Sequence, residues 1–197
     1  MLPPKPPPAK AEIAQMEPFQ GLGLDQVFVV TNKRQALQAV EELTQASQVG
    51  FDTESKPTFR KGQQSGGPHV FQFATHEKAF IFPTHVTESH PAIIELLVSS
   101  AITKIGFDLR GDLHQISTRF GVKPEAVVDL GRMFKKLGYT HTIGATSAVA
   151  MLFGQRLGKS KSVTTSNWAA KELSERQLLY AANDAFAAIR VFRALEA

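Results

Sequence analysis

The chain has 197 residues, 43% of them apolar, which is enough for one well-buried domain and too few for two large ones. It contains no cysteine, which excludes a disulfide framework, a thiolate nucleophile and a thiolate zinc site and fits a reducing cytoplasm. The net charge of +4 is unevenly spread: between Asp129 and Glu172 there is no acid, while Arg132, Lys135, Lys136, Arg156, Lys159, Lys161 and Lys171 are all basic. Such a segment attracts a polyanion, and a phosphate backbone is the commonest one in a cell. The competing reading is ordinary solvated Lys and Arg on helix faces.

Residues 1–20 read as a Pro-rich mobile tail, because Pro3, Pro4, Pro6, Pro7 and Pro8 keep the chain extended and out of helix or sheet. The tail lacks the apolar core of a signal peptide, and no run reaches the length of a membrane span, so a cytoplasmic location is expected. Residues 21–197 are expected to form a single domain. A short strand at Val27 to Val30 leads to Thr31 or Asn32 as the cap of a helix, whose apolar positions are Ala36, Leu37, Val40 and Leu43.

In Gln48 to Glu54, Val49 and Phe51 alternate with Gly50 and Asp52, so a strand carries Asp52 and Glu54 on one face. Two like charges there repel by about 4 kcal/mol if about 4 Å apart at an effective dielectric near 20. A divalent cation offsets that repulsion; the plainer alternative is a pair of acids decorating an exposed strand end. A loop with Pro57, Arg60, Lys61, Gly62, Gly66, Gly67 and Pro68 follows and is expected to overhang the pair. Strands at Val70 to Ala74 and Ala79 to Phe82, joined by a turn at Thr75 to Lys78, complete an antiparallel meander.

From Pro91 helices alternate with strands, as in an α/β sheet with crossovers. Expected are a helix through Ile93 and Leu97, a strand Lys104 to Phe107, and helices near Leu109–Phe120, Leu130–Leu137 and Ile143–Phe153. Asp108 is placed to cap the second of these helices, and Asp112 lies one turn in, at the crevice end of the sheet. The last helix opens with Ser174 and Gln177 at capping-box spacing and carries Leu178, Ala181, Ala182, Ala185, Ile189 and Phe192 as its apolar stripe. Tyr180 and Asp184, one turn apart, flank that stripe and can present a phenol and a carboxylate to the same volume. A Tyr packed on the core beside a solvated Asp is the alternative.

Two other chemistries drop out. Gly158-Lys159-Ser160 resembles the end of a phosphate-binding loop, but Phe153 stands where its first glycine is required. No pair among the six histidines has metal-ligand spacing on a helix, and there is no Gly-x-Ser-x-Gly elbow.

Phe51-Asp52-Thr53-Glu54, Gly106-Phe107-Asp108-Leu109-Arg110-Gly111-Asp112 and Tyr180-Ala181-Ala182-Asn183-Asp184 occur in the order of the three motifs of the DEDD 3′–5′ exonucleases, Tyr-containing subclass. With Ser166-Asn167-Trp168, Leu173-Ser174 and Gln177 to Ala182, the chain resembles ribonuclease D and, more closely, the exonuclease domain of the Werner helicase. Leu179 stands where the His-containing subclass has histidine, and Asp108 stands where many members carry Asn.

The resemblance implies an α/β, ribonuclease H-like mixed sheet of five or six strands, meander first and parallel strands after, with helices on both faces. It also implies two-metal hydrolysis of phosphodiester bonds from the 3′ end of DNA or RNA, releasing nucleoside 5′-monophosphates. Asp52, Glu54, Asp112 and Asp184 would hold two Mg²⁺ or Mn²⁺ ions, and Tyr180 would orient the attacking water. Arg156, Lys159 and Lys161, with Arg60 and Lys61 on the Gly-rich loop, are expected to track the strand, and Phe59 to stack a base. The alternatives are a ribonuclease trimming RNA 3′ ends and a catalytically silent nucleic-acid-binding module.

Overall fold

The structure is a computed structural model and describes residues 6–58 and 65–196. In chain order its elements are α1 (Lys10–Ala14), β1 (Glu17–Pro18), β2 (Val27–Val29), α2 (Lys33–Gln45), β3 (Gln48–Glu54), β4 (Val70–Ala74), β5 (Ala79–Pro83), α3 (His90–Val98) and β6 (Thr103–Gly106). There follow α4 (Arg110–Phe120), β7 (Val127–Asp129), α5 (Leu130–Lys136), α6 (Ala145–Phe153), β8 (Gln155–Arg156), α7 (Lys161–Thr164) and α8 (Glu175–Glu196). Six strands form one mixed sheet in the order β2-β5-β4-β3-β6-β7. The expected meander is its antiparallel part, β3-β4-β5, while β2 runs parallel to β5 and β6 and β7 run parallel to β3.

The two helix starts with the clearest sequence signals form as their caps direct. Asn32 Oδ1 accepts from Gln35 N at 3.0 Å, satisfying one of the orphan donors of α2, and Gln35 Oε1 reaches back to accept from Thr31 N at 2.8 Å. At α8, Ser174 Oγ accepts from Gln177 N at 3.3 Å and Gln177 Oε1 accepts from Ser174 N at 3.0 Å, which completes the capping box.

Strand alternation sorts the core into two layers. Phe51, Phe71, Phe73, Phe80 and Phe82 point to one face and bury against α2, α3 and α4 through Ala36, Leu43, Ile93, Leu97 and Ile116. Val70, Ala74, Ala79, Ile81 and Ile105 point to the other face and meet α8, α5 and α6. Fully burying each Phe is worth about 1.5–3 kcal/mol relative to leaving it in water.

Three expectations need correction. The reading of residues 1–20 as an unstructured tail fails from Lys10 onward: Lys10–Ala14 is helical with Ile13 buried, and Glu17–Pro18 pairs in parallel with Gln155–Arg156. A two-residue edge strand tolerates a proline because little ladder is lost. Asp108 does not cap α4. Its φ is +50°, a left-handed backbone that turns the chain, and the cap position falls to Leu109, whose N donates to Asp129 Oδ2 at 3.1 Å. Finally, the apolar face of α8 is wider than a stripe. From Tyr180 to Phe192 almost every residue is buried, because α6 and the N-terminal segment cover the side turned away from the sheet.

Candidate active site

Asp52 and Glu54 leave the same face of β3 just beyond the residues that pair with β6, whose last partner on β3 is Gly50. They therefore stand at the carboxyl end of the parallel strands, where open α/β sheets bind ligands. The third acid comes from α8, brought close because Gly50 has no side chain: a Cβ there would lie 1.8 Å from the carbonyl oxygen of Ala185. With the helix seated on bare backbone, one carboxylate oxygen each from Asp52, Glu54 and Asp184 lie within 4.8 Å of one another. Such a cluster of hard oxygen donors could hold a divalent cation.

Asp112 approaches from the other side of the strand end. Its Oδ1 accepts from the buried hydroxyl of Thr53, the residue between the two strand acids and facing away from them. It is not one of the three converging carboxylates, yet its charge is among the main influences on Asp52. Asp108 is exposed and outside the three-carboxylate cluster, and its charge raises Asp112.

All four acids hold their protons more tightly than ordinary carboxyls. Burial, then repulsion from Asp184 and Asp112, lifts Asp52 well above the usual range. Glu54 is pushed up to about 9 by burial and by Asp52. Asp112 is raised by burial against the pull of the Thr53 hydroxyl, and Asp184 is raised by burial despite Lys159 and Tyr180. A site built this way has less positive charge than its four acids call for.

Tyr180 lies one turn before Asp184 and is fixed on two sides. Its ring packs 6.0 Å from that of the buried Trp168, and its hydroxyl receives a hydrogen bond from Thr164 Oγ1 at 3.2 Å. Burial and the nearby Asp184 push its phenol up to about 12, so it is neutral at physiological pH. Thr53, Thr164 and Trp168 are supporting residues that spacing alone does not single out; Trp168 enters only through the family pattern.

The expected nucleic-acid contacts divide. Phe59, Arg60 and Lys61 lie outside the described residues. The loop that carries them is fastened where it is described: Ser55 Oγ donates to Gln115 Oε1 at 2.7 Å, and Arg119 donates to Gly66 O at 3.1 Å. Arg156 and Lys161 are exposed. Lys159 is inside the site, its Nζ 2.8 Å from Asp184 Oδ2 and 5.6 Å from the centre of the Tyr180 ring. Burial lowers its pKa, but Asp184, Tyr180 and Asp52 together outweigh burial and leave it above the ordinary lysine value.

Beside Asp184 and Tyr180 a groove of about 420 Å³ runs along α8, with Phe19 and Leu179 among its apolar lining and Arg156 and Arg176 among its polar lining. The N-terminal segment forms one wall. It is held there by Asn183, whose Oδ1 accepts from Leu22 N at 2.7 Å and whose Nδ2 donates to Leu22 O at 3.2 Å.

A mixed sheet with three carboxylates gathered at the crevice end, one of them a helical turn from a tyrosine, defines an α/β domain with a candidate acidic metal site. A family model described as 3′-5′ exonuclease matches residues 27–197, and the chain belongs to that family. It is similar to the mouse (Mus musculus) bifunctional 3′-5′ exonuclease/ATP-dependent helicase WRN, with 30% identity over 155 residues that span 78% of this chain and 11% of that protein. An Arabidopsis thaliana 3′-5′ exonuclease is 30% identical over 153 residues, 75% of this chain and 52% of its own length. The chain thus spans only part of these relatives. Among solved structures, Trypanosoma brucei RNase D superposes with a TM-score of 0.77 at 25% identity, covering 87% of this chain and 65% of that one. The ribonuclease H-like architecture expected from the motifs is the one present.

Proposed function

We propose that this chain is a metal-dependent 3′–5′ exonuclease that removes nucleoside 5′-monophosphates from the 3′ end of a nucleic acid. The observation that carries the reading is the convergence of Asp52, Glu54 and Asp184 within 4.8 Å, with Tyr180 one turn away and Asp112 tied to the same strand end through Thr53. Mg²⁺ or Mn²⁺ fits the oxygen-only donor set, and two such ions would neutralise the four acids, lower the pKa of the attacking water and offset charge on the phosphate.

Asp52 is central in this scheme, between Glu54 and Asp184 on one side and Asp112 on the other, and with them would hold the metal that activates the water. Tyr180 orients the water by hydrogen bond, since a phenol with its pKa near 12 is a poor base at neutral pH. Trp168 and Thr164 hold that phenol still. Arg156, exposed on the lining of the α8 groove, and Lys161, exposed at the start of α7, pair with backbone phosphates of the strand.

Among the relatives, a Haemophilus influenzae ribonuclease D is 28% identical over 176 residues, and a structure of the Trypanosoma RNase D is described as a complex with RNA U12. These favour RNA as one substrate class to test beside DNA. The experiment offers 5′-labelled single- and double-stranded DNA and RNA with Mg²⁺, Mn²⁺ or chelator, to the protein and to Asp52→Ala. A ladder shortening from the 3′ end is expected, abolished by chelator and reduced by about three orders of magnitude in the variant, a barrier increase of about 4 kcal/mol. Binding of nucleic acid without any ladder would show a silent binding module instead.

A further inference from the structure

Lys159 belongs to the basic segment that would follow the phosphate backbone, yet its ammonium is bonded to Asp184, a carboxylate that a metal ion would need. The two partners differ in accessibility. The Asp184 side chain is 5% exposed and the Lys159 side chain 38% exposed, so the acid is fixed in the floor while the lysine reaches in from the rim. Its backbone lies between β8 and α7, beside Gly158, in a stretch outside helix and strand. Its head lies 5.6 Å from the centre of the Tyr180 ring.

The geometry points to a double role for Lys159: it occupies the cation position at Asp184 when the site is empty, and it transfers to the phosphate of the substrate when metal displaces it. This inference rests on the exonuclease reading and assigns a residue and a sequence of events within it. The charge argument is direct. Four acids gather around one strand end, and the one ammonium in contact with them among the described residues is Lys159. A divalent cation approaching Asp184 meets both an engaged carboxylate oxygen and a positive charge at the same place. Both cannot remain there at short range. The four-carbon stem of a lysine lets its head move several ångströms about a fixed Cα, on the order of the distance from a carboxylate to an adjoining phosphate oxygen. Bound phosphate then supplies the negative charge that Asp184 gives up to the metal. Lys159 would thus be a catalytic residue in the loaded site and a competitor of metal in the empty one.

These two roles make opposite demands on a neutral variant, which a merely structural lysine would not. In Lys159→Met the stem keeps its length over Tyr180 and the charge is lost. Mn²⁺ affinity of the protein without nucleic acid, measured from the electron paramagnetic resonance signal of free Mn²⁺, is expected to tighten by about tenfold. On a labelled single strand, kcat/KM is expected to fall by about a hundredfold, as when a charge-stabilising donor is removed from a reacting group. Lys159→Arg is expected to keep Mn²⁺ affinity near that of the wild type and to recover part of the activity.

Asp52→Ala serves as the control for the site itself. If the wild type binds Mn²⁺ and Asp52→Ala does not, but Lys159→Met binds no more tightly than the wild type, the inference about Lys159 is wrong and the exonuclease reading stands. If the wild type binds no Mn²⁺, or binds it as well after Asp52→Ala, both fail.

Discussion

Phe51 and Asp52 are neighbours in one strand, and they face two different kinds of interior. On the Phe51 side, five phenylalanines from β3, β4 and β5 interlock with α2, α3 and α4, and the work done is burial of apolar area. On the Asp52 side, Gly50 gives up its side chain so that α8 lies directly on the strand, and the interior contains carboxylates, an ammonium and the amide of Gln72. One face is built for volume and the other for distance. A strand that alternates with period two serves both at once, which places a chemical site one residue away from a rigid core.

The largest effect that separates the faces is expected at Gly50. In Gly50→Ala the new methyl meets the Ala185 carbonyl, which cannot turn aside as a side-chain tip would, so α8 must shift outward and carry Asp184 with it. Overpacking of this kind costs about 1–3 kcal/mol. Activity should fall by more than the loss of folded protein explains. Phe73→Leu on the opposite face should cost a comparable 1–2 kcal/mol, roughly the scale of a partial core truncation, and leave kcat/KM of the folded protein unchanged. Urea melts and single-turnover assays on both variants make the comparison; equal activity in the two would mean that helix approach does not set the site.

This contrast also marks what the amino-acid order discloses. Alternation puts Asp52 and Glu54 together, and the Ser174–Gln177 box fixes the phase of α8, so Tyr180 and Asp184 are legible as neighbours. The demand on Gly50 is not legible, since it is made by a helix that begins 125 residues later in the chain. Lys159 shows its charge in the sequence but not its reach. Asp108 reads as a helix cap until its left-handed φ moves the cap to Leu109, and the proline run hides the pairing of Glu17–Pro18 with β8, a contact made by tertiary packing alone.

A second, smaller effect follows from the raised carboxyls. Glu54 binds its proton with a pKa of about 9 in the folded chain against an ordinary 4.5, and Asp52, Asp112 and Asp184 shift in the same direction. The stability these groups contribute is fully present below their unfolded values and is lost as pH rises through the folded ones. Without metal, the protein should therefore melt at a lower temperature at pH 8 than at pH 6.5. Burial lowers His69 and His76, which act in the opposite sense as pH falls through the histidine range, so the informative quantity is the difference between wild type and Asp52→Asn. That substitution should flatten the slope, and Mn²⁺ should raise the melting temperature of the wild type more at pH 8 than at pH 6.5. An identical slope in both proteins would mean the acids are not strained by one another.

The smallest effect tests whether the polar interior continues past the acids. Gln72 sits directly across from Asp52 in the β3–β4 ladder, is fully buried, and has neither its Oε1 nor its Nε2 hydrogen-bonded among the described residues. A buried amide left without partners costs about 1–3 kcal/mol, and replacing it with an apolar group of similar size recovers much of that. Gln72→Leu should then raise stability by about 1 kcal/mol in a urea melt. If instead it lowers stability and weakens Mn²⁺ binding, the amide holds Asp52 in position, and the distance-setting face extends from β3 onto β4.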